Sequence, residues 1–226
     1  WVTRVPGRAL WREMKRGAKS PFVRNKAGVK TLEAFVQALS ETETDPLDIN
    51  LVGHSTGAIL LANLLVALKK QTPKLRIASC TLFAPACHME IFRKTYKPLL
   101  MSEPDTFGID KLNLFLLNDK LEQDDSVGPY QKSLLYLVSQ AFEEDLPAPI
   151  LGMKKYADKL KDDTELEALG KSFNVYISDG EGDRYTESKT HGGFDNDPVT
   201  LNRLLREILN KNPTQYFNDS IRDYCQ

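Results

Sequence analysis

With 226 residues, 41% of them hydrophobic, the chain is long enough for one domain with a sizeable core. Thirty basic side chains balance thirty-one acidic ones, so no global field directs the molecule to nucleic acid or to an anionic membrane surface. The longest apolar run, residues 58–68 with one Asn, is far too short to span a bilayer, and no signal-peptide layout begins at Trp1.

In chain order, Leu10, Trp11, Met14 and Ala18 recur at helical spacing with Lys and Arg on the other face. They predict an amphipathic helix over residues 8–19, ended by Ser20-Pro21. Leu32, Phe35, Val36 and Leu39 predict a second helix from Thr31, and Asp45-Pro46 breaks the chain before a strand at Ile49, Leu51 and Val52. An apolar helix over residues 58–68 is followed by a buried strand over 77–83, closed by Ala84-Pro85. A third strand, 112–117, leads into a polar loop, 118–129, and a helix over 131–142 with Leu134, Leu135, Leu137 and Val138 as core contacts. Residues 143–170 hold Pro147, Pro149 and a charged, helical passage. A fourth strand covers 173–177. After a long polar loop, Asp197-Pro198 supplies an N-cap and a first-turn proline for a final amphipathic helix containing Val199, Leu201, Leu204, Leu205, Ile208 and Leu209. Four strands separated by helices argue for an α/β fold, a parallel sheet with helices on both faces.

Cys80, Cys87 and Cys225 are odd in number and lack metal-ligand spacing, which fits free thiols in a reducing compartment and makes a cytoplasmic location the expectation. The chain begins with Trp1 rather than Met, which leaves room for an upstream leader or domain. The tail carries Tyr216, Phe217, Ile221 and Tyr224 and no evident chemistry.

The most informative pattern is Gly53-His54-Ser55-Thr56-Gly57, set between an apolar strand and an apolar helix. A Gly-x-Ser-x-Gly pattern arises by chance about one time in ten in a chain of this length, so its context decides its meaning. A strand before it and a helix after it are what a nucleophile elbow requires. In such a turn the serine takes a strained backbone, small neighbours avoid collision, and the following helix aims its first amides at the same place. Ser55 is the candidate nucleophile, and the Thr56 N–H is a candidate oxyanion donor.

A serine hydroxyl needs a base, and a base needs an orienting group. Of the three histidines, His54 sits in the tight turn and should point away from Ser55, as a packing or loop residue, while His88 opens a helix and suits a surface or capping role. His191 lies in Thr190-His191-Gly192-Gly193-Phe194-Asp195, between the last strand and the last helix, where a base at the sheet top belongs. For the acid, the loop after the third strand offers Asp125, with Asp124 and then Asp119 as alternatives; Asp179 and Asp183 rank below them. Asp125 is preferred because Asp-x-Val-x-Pro places a carboxylate ahead of a proline-anchored return to the helix.

In this order the elbow, the strand end Leu82-Phe83-Ala84-Pro85-Ala86, the acidic loop around Asp125 and the loop of His191 resemble the α/β-hydrolase superfamily over about residues 30–210. The resemblance implies a serine hydrolase of the esterase or lipase kind, with Ser55, His191 and Asp125 as triad, acting on a small-molecule acyl ester without metal or organic cofactor. It divides the chain into an N-terminal helical segment, 1–30, a catalytic domain, 31–210, with a lid or surface insertion at 143–170, and a tail, 211–226. The four strands match the second half of that family's sheet, so the chain reads as a C-terminal portion lacking the second oxyanion donor. The Ile49 strand is then an apolar edge that a homodimer or the N-terminal segment would cover. Two other readings use the same residues: a non-catalytic module for protein association, and an acyltransferase or thioesterase.

Overall fold

The computed structural model describes residues 4–41, 47–178 and 184–225; the Asp45-Pro46 break lies outside them. Two helices, α1 (Arg4–Lys19) and α2 (Ala27–Glu41), joined by a short 3-10 turn at Ser20–Phe22, lead to strand β1 (Asn50–His54) and helix α3 (Gly57–Gln71). Strands β2 (Arg76–Ile77) and β3 (Ser79–Phe83) follow, then short helices α4 (Met89–Ile91) and α5 (Lys97–Leu100), β4 (Gly108–Ile109) and β5 (Leu112–Leu116). The second half holds α6 (Asp119–Asp124), α7 (Leu134–Leu137), α8 (Lys154–Ala157), α9 (Thr164–Ala168), β6 (Phe173–Ile177) and α10 (Pro198–Leu209).

Four strands form one parallel sheet in the order β1-β3-β5-β6. Successive side chains of a strand face opposite sides, so the complete burial of β3 and β5 means that both faces of the central sheet are covered. On one face the register aligns His54, Phe83, Phe115 and Tyr176 in a row at the carboxyl ends of the strands. Phe115 stacks on Tyr176 at 4.3 Å between centroids and meets Phe83 edge-on at 5.2 Å. One step back on the same face lies a polar ladder: Asn113 donates to Thr81 Oγ1 at 3.1 Å and accepts from Asn174 at 3.0 Å. α10 joins this face through Glu207, which accepts from the Tyr176 hydroxyl at 2.9 Å. β1 is an edge, paired with β3 alone among the described residues, and Val52 is 44% exposed there.

The expected strand over 77–83 is divided in two. Its first residues pair with β4 in a separate two-stranded sheet, because the Arg76 guanidinium is held by Asp110, the Ser102 hydroxyl and the carbonyls of Glu103 and Thr106. The expected polar loop after β5 begins as a helix, α6, capped by Asn118, whose side chain accepts from Leu121 N–H. The helix expected over 131–142 starts later, where Ser133 caps α7, and ends in a π-helical turn at Val138–Phe142. Asp197 does cap α10, with Pro198 in the first turn.

Residues 143–170 are bound into the body. Trp11 Nε1 and Lys15 Nζ both donate to the Glu143 carboxylate at 2.7 Å, Ile150 bridges to His88, and Met153 bridges to Leu117. Ala148, Ile150, Leu151, Met153, Leu160 and Leu166 are buried. Cys80 and Cys87 are buried free thiols pushed up to about 12 by burial, so neither is a thiolate nucleophile near neutral pH. Among the described residues no helix is long and apolar enough to cross a membrane.

Candidate active site

Ser55 stands between the end of β1 and the start of α3 with φ of 54°, the left-handed region that L residues with a Cβ rarely adopt. Two hydrogen bonds hold this backbone: Ser55 N–H donates to Phe83 O at 2.9 Å, and Ala86 N–H donates to Ser55 O at 3.0 Å. Gly53 is favoured sterically, because a Cβ there would crowd Leu61 Cδ1 at 2.8 Å and the Gly57 backbone at 3.1 Å. Gly57 departs from the expectation of collision, since a Cβ there meets open space among the described residues. The Thr56 N–H precedes α3 and so has no intrahelical acceptor, which leaves it available to a developing oxyanion.

His191 comes from the loop between β6 and α10, and its Nε2 lies 2.9 Å from Ser55 Oγ. The loop is anchored by Asp197, 3% exposed, whose Oδ2 accepts from the hydroxyls of Thr186 and Thr200 and from the N–H groups of Glu187 and Thr200. Phe194, fully buried, stacks on Phe83 at 6.0 Å and fixes the loop to the sheet's aromatic row.

The His191 peptide is gripped on both sides. Its N–H donates to Asp125 Oδ2 at 2.8 Å, and its carbonyl accepts from His54 Nε2 at 2.8 Å. His54 therefore does more than pack in the turn, because it positions the main chain of the candidate base from the opposite side to Asp125. The second ring nitrogen of His191, Nδ1, is buried without a partner. Asp125 thus meets His191 through its backbone and not through its imidazole, which corrects the expected role of that carboxylate. Its other oxygen accepts from Ser126 N–H.

Burial, with the nearby His54 adding to it, pushes the His191 imidazole down to about 3. The ring is therefore neutral across the physiological range, the form that can accept a proton. The other acid candidates do not reach it: Asp119 accepts from the Tyr136 hydroxyl and from Gln123, and Asp124 is exposed. Asp179 and Asp183 lie outside the described residues. His88 caps α4, its Nδ1 accepting from Glu90 N–H.

No family model, no curated protein and no solved structure matches this chain. The geometry therefore carries the functional argument. Among the described residues no cluster of His, Cys, Asp and Glu is arranged to hold a metal ion. A cavity of about 520 Å³ runs along β6 between Leu116, Phe173, Val175 and Ile177 and the segment bearing Leu160 and Leu166; Ser55, His191 and Asp125 do not line it.

Proposed function

We propose that this chain is a serine hydrolase acting on a carboxylic ester or related acyl compound, with Ser55 as nucleophile and His191 as general base. The observation that carries the proposal is the 2.9 Å approach of His191 Nε2 to a serine hydroxyl raised on a left-handed turn. A parallel sheet with the nucleophile after β1 and the base after β6 supports an α/β-hydrolase reading of the fold.

In this reaction the Ser55 proton passes to Nε2 as Oγ bonds to the acyl carbon, and Thr56 N–H receives the charge on the carbonyl oxygen. The imidazolium returns that proton to the departing alkoxide as the acyl–oxygen bond breaks, leaving an acyl-serine. Water, activated by the same nitrogen, then releases the acid and restores Ser55. Accepting a proton on Nε2 requires the neutral ring to carry its hydrogen on Nδ1. Asp125 and His54 contribute by holding the peptide that carries the ring.

A fluorophosphonate probe followed by peptide mapping tests the proposal. An adduct on Ser55 that disappears in Ser55→Ala and His191→Ala is the expected result; labelling that survives Ser55→Ala ends it. A thioester or acyl-transfer activity would use the same groups and is separated by product analysis.

One observation favours a second reading. With Nδ1 unpartnered, no carboxylate offsets the charge of a protonated ring, as suits a module that retains the Ser–His pair but serves in protein association. Wild-type protein that leaves Ser55 unlabelled at saturating probe and elutes as an assembly on size exclusion would support it.

A further inference from the structure

α6 contains a carboxyl group that the proposed chemistry does not use. Glu122 is fully buried, its Oε2 is hydrogen-bonded to the Ser133 hydroxyl, and its Oε1 is buried without a partner. The main chains of the same two residues also meet, Ser133 N–H donating to Glu122 O at 2.8 Å. Between these residues lies the loop that carries Asp125, closed within itself by reciprocal hydrogen bonds between Val127 and Tyr130.

We infer that Glu122 is a positioning residue for the base: joined to Ser133, it staples the two ends of the Asp125 loop and so sets where Asp125 meets the His191 main chain. The inference rests on the proposed roles of Ser55 and His191. The path is continuous, from the staple to Asp125, from Asp125 Oδ2 to His191 N–H, and from the His191 ring to Ser55.

The Ser133 hydroxyl serves one carboxyl oxygen only, and Oε1 is buried without a donor, so the site is built to hold an uncharged group. The charged and titratable groups around Glu122 are Asp119 and Asp125 at the two ends of α6, Tyr136 on α7 and Lys155 on α8. Burial pushes the Glu122 carboxyl up to about 8, the two aspartates add to the rise, and Ser133 and Lys155 oppose it. Near neutral pH the side chain is therefore an uncharged acid. Above its pKa it becomes an anion beside Asp125 with one oxygen unsolvated, and the segment must open to hydrate it. The base then loses its alignment although no catalytic group has titrated.

The test is the rate of Ser55 phosphonylation between pH 6 and 9.5, each protein scaled to its own rate at pH 6.5. Wild-type protein is expected to react about ten-fold more slowly at pH 9 than at pH 6.5, as one ionisation near 8 requires. Glu122→Gln, whose carboxamide cannot ionise, is expected to lose that alkaline fall. Ser133→Ala removes the staple's side-chain bond, which is expected to lower the absolute rate at pH 6.5, and because that bond favours the anion the remaining fall is expected to move to higher pH. A flat wild-type profile, a Glu122→Gln profile that falls with the wild type, or a Ser133→Ala fall at the wild-type position overturns the inference. Absence of any Ser55 adduct at every pH instead overturns the hydrolase reading and removes the inference with it.

Discussion

His191 and Asp125 are joined through the main chain of one and the carboxylate of the other, at 2.8 Å, while the imidazole Nδ1 has no partner. A carboxylate that fixes a catalytic tautomer through Nδ1 is worth about 10⁴ in rate, whereas a charge-assisted hydrogen bond that positions a backbone contributes about 1.5 kcal/mol, or roughly ten-fold. Asp125→Ala, which removes the acceptor altogether, is therefore expected to slow Ser55 phosphonylation about ten-fold at pH 7. Asp124→Asn should leave it unchanged. A loss of a thousand-fold or more at Asp125 would show that its carboxylate turns onto the ring in the working state.

Strain at the elbow gives a prediction about stability. Ser55→Ala and Ser55→Gly both remove the hydroxyl, but only alanine keeps a Cβ at a φ of 54°. The glycine variant is expected to be the more stable by about 1 kcal/mol in urea denaturation. Equal midpoints would mean that the turn stores no such strain.

The depressed His191 imidazole sets the sign of one pH effect. The unfolded chain binds a proton at this residue below about 6.5, the folded one only near 3, so the folded state loses stability as pH falls through that window. His191→Gln removes this contribution. The gap in unfolding free energy between wild type and variant is therefore expected to shift in favour of the variant from pH 7 to pH 4. A gap that stays constant, measured by urea denaturation at both values, would contradict the burial of a neutral ring.

Asp197 anchors the loop that delivers the base. Asp197→Ala leaves the N–H groups of Glu187 and Thr200, and one of the two mutually paired hydroxyls of Thr186 and Thr200, without an acceptor, at a cost of about 3 kcal/mol in chemical denaturation. Ser55 labelling should weaken with it, because His191 is carried by the released segment. Asp197→Asn, which keeps one acceptor oxygen, is expected to recover part of both losses.

The sequence was legible where local chemistry and position agree. The Gly53 to Gly57 elbow follows a strand and precedes a helix, Asp197-Pro198 starts α10, and the apolar run at 173–177 is β6. The order of chain segments also pointed to Ser55, His191 and Asp125, which the structure brings together. What escaped depends on partners distant in the chain. The split between β2 and β3 is set by groups 26 to 34 residues beyond Arg76. Glu122 falls within the expected polar loop over 118–129, and the Ser133 that permits its burial lies eleven residues on. Periodicity could not reveal that Asp125 and His54 hold the two peptide groups flanking His191, since a main-chain group leaves no mark on residue identity.

The ladder of Thr81, Asn113 and Asn174 has a consequence for how the strands find one another. In the observed register their amide and hydroxyl groups are matched in a continuous rung. Shifting β5 by two residues in one direction would set Asn113 against Phe83, and in the other against Ser79, whose hydroxyl already donates to Asn50, so the amide would lose its present partners at a cost of about 1–3 kcal/mol for each orphaned group. Hydrophobic collapse alone would tolerate several alignments of such aliphatic strands. The polar rung acts as a key cut for the observed one, and the register it selects is the one that brings the row His54, Phe83, Phe115 and Tyr176 into line beside Ser55.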